Sequence, residues 1–193
     1  MLVILLLVII AFCCLLMNIA WSTCRLGISP TPSNLKMRKA CLQTLEKCQT
    51  QNPALNHVIV AGSGWGGLAW HLAQSTQCSI DCFEDALLPW LWHRLNLHCR
   101  PGAGRNISLH KSQFSSQVFA NTCTPNSVVV CYLYPRGTQQ LYAQLINQLV
   151  DSQPNVCAGL ISVAFAVNAV TPTSTLVCSD WMATPIYWYQ FTN

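Results

Sequence analysis

Four of the six residues in Gly62-Ser63-Gly64-Trp65-Gly66-Gly67 are glycine, and the run directly follows an apolar, strand-like segment, His57 to Ala61 (HVIVA). Glycine allows a sharp turn and leaves bare backbone against which a ligand can lie. A helix starting at such a turn adds free amide groups and a partial positive charge. The chemistry this suits is binding of a nucleotide-type ligand. The plain alternative is a tight strand–helix turn that binds nothing.

The spacing fits two ligand classes. Gly62, Gly64 and Gly67 satisfy GxGxxG, the dinucleotide fingerprint, whereas Gly62, Gly64 and Gly66 satisfy the GxGxG of S-adenosylmethionine (AdoMet) sites. Both classes place a carboxylate at the end of the second strand to grip ribose hydroxyls, about twenty residues on. Glu84, 22 residues after Gly62, stands at that place. Its neighbour Asp85 has a plainer reading as a helix N-cap. The turn alone does not choose between the ligands. The five histidines are dispersed, with no HExxH motif and no Ser-His-Asp order, so a hydrolase or metal centre has no support.

Short apolar runs alternating with helical stretches surround these residues and predict an α/β domain with a largely parallel sheet. Strands are expected at His57 to Ala61, Cys78 to Phe83, Ile107 to His110, Asn126 to Tyr134 and Val156 to Phe165. Leu176 to Ser179 and Ile186 to Phe191 are expected to close the sheet as an antiparallel pair. Helices are expected at Leu35 to Gln51, Leu68 to Gln74, Leu87 to His98 and Gly137 to Val150.

Several motifs fall in order on this frame. AGSGWG resembles the DLGSGDG turn of a small methyltransferase family that includes membrane-associated protein-lysine methyltransferases of mitochondria and bacterial relatives. Glu84 is followed by Pro89-Trp90-Leu91, similar to that family's acidic residue with Pro-Trp-Leu. Val128 to Arg136 (VVVCYLYPR) resembles VVTLYLLPE, and Thr184-Pro185-Ile186-Tyr187-Trp188-Tyr189 resembles TPIY-x-Y. The resemblance covers about His57 to Phe191. It implies a Rossmann-like, seven-strand methyltransferase sheet with an antiparallel last strand. It also implies AdoMet as cofactor, held by Gly62, Ser63, Gly64, Gly66 and Glu84.

There are departures from the family pattern. Val60 stands where the first motif has its acid, and Trp65 replaces the aspartate of the turn. Ser112 and Phe114 occupy the positions of an Asp-x-Trp, the resemblance placing them beside the adenine. Methyl transfer needs an acceptor held in line and kept dry rather than a strong acid or covalent nucleophile. Tyr132 and Tyr134, at the end of the fourth strand, are expected to line the acceptor site, with Pro135 shaping the turn; ordinary strand-end aromatics are the plainer reading. A lysine acceptor, implied by the resemblance, must lose its proton, which a dry aromatic mouth favours.

Before Arg25 the chain carries no charged side chain, and about twenty apolar residues suffice to span a bilayer. Residues 2–21 are therefore expected to form one transmembrane helix, 22–34 a linker and 35–193 the methyltransferase domain. Basic residues after the apolar run (Arg25, Lys36, Arg38, Lys39) predict a cytoplasmic domain. The expected partners are the membrane and a membrane-protein substrate. A net charge of +4 is too mild and too scattered to argue for nucleic acid, and no nucleic-acid partner is expected. The twelve cysteines form no CxxC pair outside the apolar run, and Cys78, Cys82, Cys131 and Cys157 read as core packing. Two alternatives stay open: an NAD(P)- or FAD-binding Rossmann oxidoreductase, and a non-catalytic membrane adaptor that keeps the fold.

Overall fold

The computed structural model describes residues 32–99, 102, 104–115, 121–150 and 157–191, together with 1, 3–7, 9, 10, 12, 13 and 17. Helix α1 (Leu35–Gln51) leads into β1 (His57–Ala61), α2 (Gly67–Ser75), β2 (Ser79–Phe83), α3 (Leu87–Cys99) and β3 (Ile107–His110). Then come β4 (Ser127–Cys131), α4 (Pro135–Val150), β5 (Gly159–Val163), β6 (Ser174–Val177) and β7 (Pro185–Gln190). The seven described strands form one sheet in the order β3-β2-β1-β4-β5-β7-β6. β1 to β5 run parallel, and β7 runs antiparallel to both its neighbours.

Local chemistry explains the elements. Asn34 caps α1 by accepting the Met37 N–H at 2.8 Å, the usual role of a short polar side chain before a first turn. The central strands are rich in β-branched residues and buried on both faces: β4 at every position and β1 at four of five. Such continuous burial is what parallel strands show when helices cover both faces. Val58, Val60, Val128 and Val130 pack under α1 and α2 with Leu45 and Leu72. On the opposite face, Ile59, Val129 and Leu160 pack against Leu141 and Leu145 of α4. Leu141 and Leu145 are fully buried, each contributing roughly 2–3 kcal/mol of transfer free energy.

The fourth strand is shorter than its apolar run predicts. It ends at Cys131, because Pro135 opens α4, and the chain must turn first. Thr138 holds the turn: its N–H donates to the Tyr134 carbonyl at 3.0 Å and its hydroxyl to the Leu133 carbonyl at 3.1 Å. Tyr132, Leu133 and Tyr134 are thereby freed from the sheet ladder at its carboxyl edge.

The expected membrane span, residues 2–21, lies partly outside the described residues. Among the described residues no helix is long and apolar enough to cross a membrane. That finding corrects the expected single-pass membrane placement, and with it the expected membrane partner. Bilayer crossing needs about twenty apolar residues in one continuous helix, and the described residues contain no such helix.

Candidate functional site

In the parallel part of the sheet β1 lies between β2 and β4, so the chain winds away from it in both directions. Ligands of open α/β sheets bind outside the carboxyl ends of the strands at such a switch point. A cavity of about 750 Å³ opens there. Its wall includes Gly62, Ser63, Gly64, Gly66, Glu84, Ser112, Phe114, Tyr132 and Tyr134. Pro135, the remaining expected site residue, is not on the wall; it is the first residue of α4.

The β1–α2 turn is pinned to the end of β2. The Gly62 and Ser63 N–H groups both donate to the Phe83 carbonyl at 3.0 Å. Gly64 donates its N–H to Glu84 Oε2 at 2.6 Å, and Glu84 Oε1 accepts the Ala86 N–H at 2.8 Å. Each carboxylate oxygen keeps a further lone pair for a ligand. Glu84 is buried, and desolvation raises its pKa, opposed in part by the Ala86 and Gly64 amides. Asp85 also lines the cavity, and among the described residues no side-chain hydrogen bond from it caps α3.

Backbone conformation at the turn is left-handed at Gly64 (φ +54°) and Gly66 (φ +81°), where L side chains are strained. Among the described residues a Cβ at Gly64 would meet nothing within 4 Å, and Gly64 lies on the cavity wall. A Cβ at Gly66 would collide with the ring of His93. That histidine is a site residue the sequence pattern did not single out. It is 1% exposed, and burial pushes its pKa down to about 4. Its Nδ1 lies 3.4 Å from the Ser63 hydroxyl, and among the described residues its Nε2 has no hydrogen-bond partner. Its pairing with buried Pro89 at i, i+4 was the available signal, since that interval shares one helix face.

The rest of the wall is aromatic. Trp65, the replacement for the family's aspartate, meets Trp92 edge-on at 6.4 Å between centroids. Tyr134 and Phe165 lie 5.7 Å apart, tilted by 32°. Tyr132 is half-buried, and desolvation raises its pKa, with Tyr134 and Asp180 adding to the effect. Two cations, Arg38 and Arg136, also line the cavity. Beside it, His110 stacks on Phe83 at 4.8 Å, bonds Asp81 through Nε2 at 3.0 Å and gives its carbonyl to the Glu84 N–H at 3.1 Å.

The fit to AdoMet can be judged on these atoms. A buried carboxylate with free lone pairs, glycine backbone facing open space and an aromatic wall suit a ribose, an extended chain and a flat ring respectively.

No family model and no curated protein matches the chain. Solved structures do. An RNA methyltransferase from Salinibacter ruber, in complex with S-adenosyl-L-homocysteine, is 15% identical with a TM-score of 0.59, over 83% of this chain and 93% of that one. The fold is that of the AdoMet-dependent methyltransferases. The N-terminal domain of human METTL16, also with S-adenosylhomocysteine, gives 0.62 at 8% identity over 91% and 81%. A putative methyltransferase, yhhF from Escherichia coli, gives 0.57 at 15% over 84% and 90%. These neighbours share the fold of this chain, and two of them hold S-adenosylhomocysteine. The expected exclusion of nucleic acid is overturned, because an RNA methyltransferase is built on this fold. Net charge averages a whole surface, whereas an acceptor meets only the groups at the cavity.

Proposed function

We propose that the chain is an AdoMet-dependent methyltransferase, with the cofactor along Gly62 to Gly67 and the acceptor entering over Tyr132 and Tyr134. The observation that carries this reading is the buried Glu84 carboxylate, bonded to the Gly64 amide and bordering the cavity at the switch point. Glu84 would take the ribose hydroxyls, and Ser112 and Phe114 would flank the adenine. When bound, AdoMet supplies an electrophilic methyl group on a sulfonium. The chain's own part is to orient and to exclude water: Tyr134, Phe165 and Tyr132 form a wall that penalises a charged amine and favours its neutral, attacking form.

A protein lysine is the acceptor implied by the family resemblance. A nucleobase amine is a second reading, favoured by the Tyr134–Phe165 pair close to a cation, Arg136, on the same wall. Base stacking on aromatic rings beside basic groups is how single strands are held, and RNA methyltransferases occur among the structures of this fold.

The test is calorimetric titration of the full chain with AdoMet, S-adenosylhomocysteine and NADH. Saturable binding of the first two is expected. Binding of NADH alone would point to the oxidoreductase, and binding of none to the non-catalytic adaptor.

A further inference from the structure

Arg38 reaches the cavity from the first turn of α1, and the proposed methyl transfer gives it no task. Its Nε donates to the Ser33 carbonyl at 3.0 Å and to the Ser33 hydroxyl at 3.1 Å, and its Nη2 donates to the same carbonyl at 2.7 Å. Among the described residues Nη1 has no hydrogen-bond partner, and no carboxylate lies within 4 Å of the guanidinium. The group lies against Gly67, where a Cβ would collide with it. Ser33 holds the fork from one side while the cavity borders it. The guanidinium brings a positive charge to this end of the turn, and it helps to lower the pKa of His71, after desolvation.

The two charges are placed at opposite ends of the glycine turn. Glu84 is bonded to Gly64, and Arg38 packs on Gly67. The proposed cofactor has the matching polarity, with hydroxyl donors on its ribose and a carboxylate on its methionyl end. We infer that Arg38 is the carboxylate-binding residue of the cofactor site, taking the α-carboxylate of AdoMet and so fixing the direction in which it lies. Arginine suits this role because its planar N–H fork matches a carboxylate. Carboxylate at Arg38 and ribose at Glu84 would leave the sulfonium between them, in the cavity that Tyr132 and Tyr134 also line. This inference rests on the AdoMet reading of the cavity.

The test compares ligands with and without the carboxylate, using the full chain. S-adenosylhomocysteine carries it; 5′-methylthioadenosine keeps the adenosine and thioether but lacks the amino-acid end. Arg38→Gln should weaken S-adenosylhomocysteine roughly tenfold to a hundredfold, the usual range for losing a charged hydrogen-bond pair. It should leave 5′-methylthioadenosine within about twofold, the scatter expected for a contact that is not made. Arg38→Lys, which keeps the charge but not the fork, should fall between. Thermal melting of both variants checks the fold. Equal weakening of the two ligands would overturn the inference, because Arg38 would then merely shape the turn. Unchanged S-adenosylhomocysteine affinity in a folded Arg38→Gln variant would also overturn it while leaving the cofactor reading intact. A wild type that binds neither ligand would remove both.

Discussion

Glu84 and Gly64 are joined by a 2.6 Å hydrogen bond from the backbone amide of the turn to Oε2 at the end of β2. The bond makes one unit of two parts that sequence motifs treat separately, a glycine loop and an acidic residue twenty positions later. Its partner bond, from Ala86 to Oε1, starts the approach to α3. The carboxylate is therefore a clamp on the glycine loop that also borders the cavity.

Glu84→Gln removes the charge and leaves one acceptor oxygen for two amide donors. A loss of AdoMet affinity of about 1.5–3 kcal/mol is expected for hydrogen bonds to a charged group, or roughly tenfold to a hundredfold. A stability loss of about 1 kcal/mol should accompany it, from the amide left without its partner. Burial raises the Glu84 pKa, and the ionised form is the one that grips hydroxyls. Affinity of the wild type should thus fall as pH drops through a range above the usual carboxylate value of about 4.3, and the glutamine variant should not show this step. Asp85→Asn is the paired control. Titration calorimetry across pH decides it: a wild-type affinity that is flat with pH would count against Glu84.

Gly64→Ala separates turn geometry from ligand contact. A side chain here stands where a ligand would lie against bare backbone. The φ of +54° adds a folding cost, since a left-handed L-residue costs roughly 1–2 kcal/mol. Urea unfolding should register that loss, while the added methyl, which meets no protein atom within 4 Å, projects toward the ligand and weakens AdoMet. A folded variant with unchanged affinity would mean that the turn is only structural.

His93 predicts a stability profile. Burial lowers its pKa from 6.5 to about 4, so between these values the unfolded chain binds more protons than the native one. Stability must then decline as pH falls from about 6.5 toward 4, by up to about 3 kcal/mol. His93→Leu puts an apolar side chain of similar bulk against Gly66, removes the titrating ring and should flatten this part of the curve. Denaturant melts of both proteins at pH 7 and pH 5 measure the difference; parallel losses on acidification would show that another group titrates.

The sheet was legible in the sequence because burial on both faces demands apolar, β-branched runs at β1, β4 and β5, and the turn was legible because only glycine fits its backbone. Glu84 was readable from spacing along the chain. What tertiary structure alone decided was which side chains meet at the cavity. Arg38 arrives from a helix that precedes the whole glycine motif, and His93 from the face of α3 that packs on Gly66; neither has a fixed interval from the turn, so the glycine pattern does not assign them. The end of β4 was likewise misjudged, since apolarity continues through Leu133 while Pro135 and Thr138 turn the backbone away.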